Sequence, residues 1–220
     1  MGFQITNDGV LKKYIEENGV SEVVIPDCVK EIGERAFEHC TLKSITIPDS
    51  VTSIGEGAFE GCSNLTNVTI PDSVTSIGEG AFRYCCSLTA IIIPDSVTSI
   101  GGGAFDGCGS LNNITIPGSV TSISPCIFYE CYGLKSMIIP DLVTSIGKCA
   151  FYGCSSLTSI TIPDSVTSIG AGAFRSCQNL TSITIPDSVA DIGEGAFDGC
   201  DSATFNYIKT GNKDENQNEC

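Results

Sequence analysis

The sequence predicts a repeat solenoid, one elongated stack of similar coils, and three observations carry that prediction. From Ile47 to Ile185 the phrase I-P-D-S-V-T-S-I-G-x-G-A-F-x-x-C-x-x-L-x-x-I-x returns with a period of 23 residues and little drift. Proline (Pro26, Pro48, Pro71, Pro94, Pro117, Pro140, Pro163, Pro186) and phenylalanine (Phe37, Phe59, Phe82, Phe105, Phe128, Phe151, Phe174, Phe197) keep the same beat, and only the first interval is 22. Cysteine keeps it too, at Cys40, Cys62, Cys85, Cys108, Cys131, Cys154, Cys177 and Cys200.

Taken in chain order, residues 1–19 read as a capping hairpin. Phe3–Ile5 and Val10–Ile15 are two short strands joined by the turn Asn7-Asp8-Gly9, and a solenoid needs its open ends covered. Residues 20–202 hold eight repeats of about 23 residues. In the unit starting at Leu65, the pattern Leu65, Val68, Ile70 ends in the alternation of a strand. Pro71 lacks an N–H and stops the ladder, and Asp72-Ser73 is turn chemistry. Val74 and Ile77 point inward across a short extended or irregular stretch. Gly78 permits the next bend, and Glu79–Cys85 has room for one or two helical turns, with Phe82 and Cys85 on one face. About eight apolar positions per unit share one interior, so an isolated coil would not fold. Equivalent strands stack as a parallel sheet at ~4.8 Å spacing, making the eight coils about 35–40 Å long. Residues 203–208 read as a terminal strand or cap. Residues 209–220 are polar and aperiodic and read as a disordered tail with an exposed Cys220.

The arrangement C-x-x-L-x-x-I-x-I-P followed by V-x-x-I-x-x-x-A-F resembles the BspA-like (Treponema pallidum type) leucine-rich repeats. The resemblance runs from about Val20 to Cys200, with an entry segment, Ile5 to Val24, that also fits. It implies a curved right-handed solenoid with a parallel sheet on one face and short helical or irregular segments elsewhere. It also implies a surface or secreted protein concerned with adhesion and host-protein binding. Fold transfers along such a resemblance; function does so only by analogy.

Composition removes several classes. The net charge is -15, from 11 basic and 26 acidic residues, with no basic stripe, which opposes binding to nucleic acid or to bare anionic lipid. Nothing approaches the ~18 apolar residues of a membrane span, so no membrane insertion is expected in this segment. The N-terminus has no signal-peptide pattern, so the chain is either cytosolic or a mature or truncated form. No nucleophile, base and orienter stand apart from the repeat and no phosphate loop precedes a helix, so neither an enzyme nor a cofactor is implied. A cysteine column presents thiols in a line, whereas zinc needs ligands converging tetrahedrally, and His39 is the sole histidine; no metal site is expected. The aspartate column (Asp49, Asp72, Asp95, Asp141, Asp164, Asp187, interrupted by Gly118) offers one carboxylate per coil, which suits turn capping better than calcium.

What remains are departures from the repeat. Thr46, Thr69, Ile92, Thr115, Ile138, Thr161 and Thr184 form an outward column on the sheet, and its two isoleucines are the candidate contacts for a protein ligand. The competing reading is that β-branched residues simply suit strands. Cys126 and Cys149 replace the glycine of Gly57, Gly80 and Gly103 in adjacent coils, a register that puts them within disulfide range. Three functions fit: a protein-binding module for a host or matrix protein; a spacer array without a ligand; and, least well, an ice- or surface-binding array.

Overall fold

In all coils but one the alternating stretch after the leucine position extends into a strand, with its middle residue buried in every three-residue strand. These are β3 (Glu22–Val24), β5 (Ser44–Thr46), β7 (Asn67–Thr69), β9 (Ala90–Ile92), β11 (Asn113–Thr115) and β14 (Ser159–Thr161), with the longer β16 (Ser182–Pro186) and β18 (Thr204–Ile208) at the end. They pair in parallel and in register, Ile45 on Val68 and Val68 on Ile91. The computed structural model describes residues 2–17 and 19–208, so the expectations for the 209–220 tail and Cys220 lie outside the described residues.

A second parallel ladder runs along the stack, and the sequence did not announce it. After the Pro-Asp-Ser turn, pairs of residues extend as β4 (Glu31–Ile32), β6 (Ser53–Ile54), β8 (Ser76–Ile77), β10 (Ser99–Ile100), β12 (Ser122–Ile123), β13 (Ser145–Ile146), β15 (Ser168–Ile169) and β17 (Asp191–Ile192). At the N-terminal end β1 (Gly2–Ile5) pairs antiparallel with β2 (Val10–Ile15), and β2 joins β4 to start this ladder.

The third side contains no helix among the described residues. Its amides divide their bonding by parity. Gly57, Phe59 and Gly61 donate to Glu79, Ala81 and Arg83 of the next coil at 2.7–2.8 Å, while Ala58, Glu60 and Cys62 donate back to Gly55, Gly57 and Phe59 at 2.9–3.3 Å. A helix would need every amide for its own chain, four residues back. Left-handed φ values at Gly57 and Gly61 also interrupt any helical run. The segment is therefore a row of tight turns and a third line of bonds between coils.

The interior is a set of columns. The phenylalanine rings of neighbouring coils stack at 5.0–5.7 Å from Phe37 to Phe197, and Tyr14 and Phe3 continue the stack into the hairpin. In one coil Val51, Ile54, Ala58, Phe59, Cys62, Leu65, Val68 and Ile70 are all buried. Each large one gains roughly 1.5–3 kcal/mol only because the coils above and below cover it. The column of Gly55, Gly78, Gly101, Gly147, Gly170 and Gly193 permits this spacing: a Cβ at Gly101 would lie 2.3 Å from the Glu79 amide nitrogen.

One coil breaks that column. Ser124 stands where its neighbours have glycine, so its Cβ occupies space that backbone fills elsewhere. Here both strand ladders stop: the first sheet ends at β11 and the second ladder divides between β10 and β12. The next outward stretch, Ser136–Ile138, keeps a single bridge, from Ser136 to Ser159. The Ser124 hydroxyl donates to the Ile100 carbonyl at 2.5 Å, in place of the amide bond that Gly101 makes to Ile77. On the turn side the bonds run through unbroken, Gly103 to Pro125, Phe105 to Ile127 and Gly107 to Tyr129. The stack has a seam that lacks backbone strand pairing on two sides, where the Ser119 and Ser124 hydroxyls still donate to the Val97 and Ile100 carbonyls, and is closed on the third.

Candidate functional site

The sheet face collects the outward residues of the three-residue strands. Thr46, Thr69, Ile92, Thr115, Ile138 and Thr161 are exposed and Thr184 is half-buried. Pairing puts Ile92 directly between Thr69 and Thr115. Ile92 is 75% exposed and Ile138 83%, and Val24 in the first coil adds a third outward aliphatic at 67%. Thr115 and Ile138 are not paired, because the seam lies between them.

Beside Ile138 the seam opens into a shallow cleft of about 350 Å³, lined by Thr115, Ile116, Gly118, Ile139, Pro140, Asp141 and Leu142. Leu142 is 59% exposed and was not among the residues singled out from sequence. Its signal was present: Asp141-Leu142-Val143 stands where other coils have Asp-Ser-Val. That serine elsewhere bonds across coils, as Ser73 Oγ donates to the Val51 carbonyl at 2.6 Å. At Leu142 the bond is replaced by an exposed apolar side chain, next to Gly118, where the aspartate of the repeat is also missing. Ile138 and Leu142 thus form one apolar spot on an otherwise small-polar face.

The turn side carries a second uneven column that sequence reasoning passed over: Glu38, Glu60, Arg83, Asp106, Tyr129, Tyr152, Arg175 and Asp198, each just after the phenylalanine. Arg83 pairs with Asp106 at 2.8 Å, with its guanidinium 4.7 Å from the Tyr84 ring centroid. Burial raises the Asp106 carboxyl above its ordinary value and the Arg83 charge opposes the rise. Tyr129 and Tyr152 stack at 4.7 Å.

The cysteine column is core. Each thiol from Cys62 to Cys200 donates to the carbonyl of the phenylalanine in the preceding coil, at 3.0–3.2 Å. Burial pushes the Cys40 thiol up to about 11 and Cys62 to about 12. Cys28 and Cys86 are exposed, and Cys126 and Cys149 are half-buried free thiols in adjacent coils. Among the described residues no three His, Cys, Asp or Glu side chains converge as a metal site, and no helix is long and apolar enough to cross a membrane.

Stacked in-register strands and ringed core columns define a repeat protein of the leucine-rich class. The family model for the BspA type leucine rich repeat region matches in six copies over residues 12–135 and 123–217, and the chain belongs to that family. It is similar to a leucine-rich repeat protein of Bacteroides ovatus, with 34% identity and a TM-score of 0.70 over 86% of this chain and 56% of that one. The chain therefore spans little more than half of that protein. A leucine rich cell surface protein of Faecalibacterium prausnitzii is 31% identical, with a TM-score of 0.66 over 94% of this chain and 74% of that one. The leucine-rich repeat protein of T. pallidum is 28% identical, also with a TM-score of 0.66, over 92% and 87%. Among curated proteins none matches the sequence.

Proposed function

We propose that this chain is a non-enzymatic protein-binding module, displayed at a cell surface or secreted, that holds a host or matrix protein against its sheet face. One observation carries the reading: Ile92 and Ile138, at 75% and 83% exposure, project from a flat face whose other outward residues are mostly small and polar. Exposed aliphatics that gather beside a cleft, as Ile138 and Leu142 do, mark contact surfaces. Paired strands on both sides hold Ile92 in place, whereas Ile138 lies across the seam, beside the cleft that Leu142 also lines. The name of the F. prausnitzii relative, a cell surface protein, supports the location.

The test is a binding screen of the chain against purified matrix and plasma proteins by surface plasmon resonance, repeated with an Ile92→Asp/Ile138→Asp double variant. Both side chains are outward, so the variant folds; a binder should lose at least tenfold in affinity, about 1.4 kcal/mol. A partner that binds the variant as tightly as the wild type removes the sheet face from the proposal. Absence of any partner favours the spacer reading, in which length is what the array supplies.

A further inference from the structure

We propose that Cys126 and Cys149 form a vicinal dithiol that closes to an intramolecular disulfide on reaction with a low-molecular-weight disulfide. Both residues have left-handed backbones, φ 55° and 54°, at a position filled by glycine in five other coils (Gly57, Gly80, Gly103, Gly172, Gly195). A cysteine there is strained where glycine is not. Two neighbouring coils carry that strain together, with the same side chain.

Their surroundings match. The Cys126 amide donates to the Lys148 carbonyl at 2.9 Å and its thiol reaches the same oxygen at 3.8 Å; Cys149 does the same with Ala171, at 3.0 and 3.8 Å. Each thiol leans toward the following coil: a Cβ placed at Gly172 would lie 3.4 Å from Cys149 Sγ. One coil earlier the same lean points the Cys126 thiol at the Cβ that Cys149 does possess. Cys149 is close enough to act on the Cys126 thiol, adding to the rise that burial causes. Neither residue is sealed in the core as the column cysteines are.

One cysteine, as thiolate, attacks a sulfur of R–S–S–R; that S–S bond breaks, R–S⁻ leaves and takes up the released proton, and a mixed disulfide forms. The second cysteine then loses its proton and attacks the protein sulfur of the mixed disulfide, expelling a second R–SH. Two protein thiols are oxidised and one small disulfide is reduced to two thiols. Burial raises the Cys126 thiol above its ordinary value and Lys148 opposes the rise, so attack as thiolate is faster at alkaline pH.

The test uses the full chain, fully reduced, then exposed to oxidised glutathione, alkylated without denaturant and mapped by mass spectrometry. The expected product lacks alkylation at Cys126 and Cys149, contains a cross-linked peptide joining them, and regains both thiols with dithiothreitol. Cys149→Gly should instead leave glutathione on Cys126, and Cys126→Gly should leave it on Cys149. Both variants restore the residue of neighbouring coils and so preserve the fold. The proposal is overturned if wild type keeps glutathione on either cysteine, if both stay open to alkylation, or if the bridge found joins Cys28, Cys86 or two chains.

Discussion

Removing one ring from the phenylalanine column tests whether the stack is held by its interior. Phe105 is fully buried, with Phe82 at 5.6 Å and 3° on one side and Phe128 at 5.7 Å and 11° on the other. Phe→Ala in such a site costs about 3–5 kcal/mol, and stacked pairs at about 0.5–1.5 kcal/mol each put Phe105→Ala toward the upper end. Phe197 is only half-buried, stacks on Phe174 alone and meets Phe205 edge-on, so Phe197→Ala should cost about 2 kcal/mol. With a urea m-value of about 2 kcal/mol/M, the midpoints should fall by about 2 M and about 1 M. The assay is urea unfolding followed by far-UV circular dichroism. Equal shifts for the two variants, or a Phe105→Ala shift well under about 1 M, would mean that the ring column does not hold the coils together.

Three further outcomes follow from the same structure. Gly101→Ala drives a Cβ into the backbone of Glu79 and should cost more than about 2 kcal/mol, whereas Gly118→Ala, with nothing within 4 Å, should stay within about 0.5 kcal/mol; thermal melts of both decide it. Ser124→Gly removes the Cβ that interrupts the glycine column, so the second ladder should close across the seam; hydrogen exchange at Thr121 and Ser124 should slow, and unchanged exchange would assign the break to another cause. The Cys62 thiol is raised from 9.0 to about 12, so its stabilisation is complete below about pH 9 and is lost as pH rises toward 12. Above pH 9 that loss is about 1.4 kcal/mol per pH unit, and a Cys62→Ala variant should show a shallower decline in urea midpoint between pH 8 and pH 10.

The columns were legible because burial repeats with the coil: Val, Ile, Phe, Cys and Leu each face one interior at one register, and one coil predicts the rest. The second ladder was not, since two residues such as Ser76-Ile77 are too few to show alternation. The turn segment invited a helical reading because Phe82 and Cys85 are three apart. What contradicted a helix was glycine recurring at positions such as 57 and 61, where the backbone is left-handed, and bonds that exist only between coils. Ile92 and Ile138 were visible as departures, but Leu142 became meaningful only when the seam placed it beside Ile138. The column from Glu38 to Asp198 varies in residue type from coil to coil, and only the fold brings Arg83 against Asp106 and Tyr129 against Tyr152.

The seam has a mechanical meaning. A stack tied by three lines of bonds resists bending in every direction, much as a beam does. Between β10 and β12 two of those lines are absent and the remaining one runs along the turns, like the spine of a book. Bending about that spine stretches no strand hydrogen bonds, so compliance concentrates there in place of spreading along the coils. Ile92 and Ile138 stand on opposite leaves, so the angle of the spine sets the distance between the two exposed aliphatics. A partner that grips both would have to choose that angle, and a load along the stack would change it.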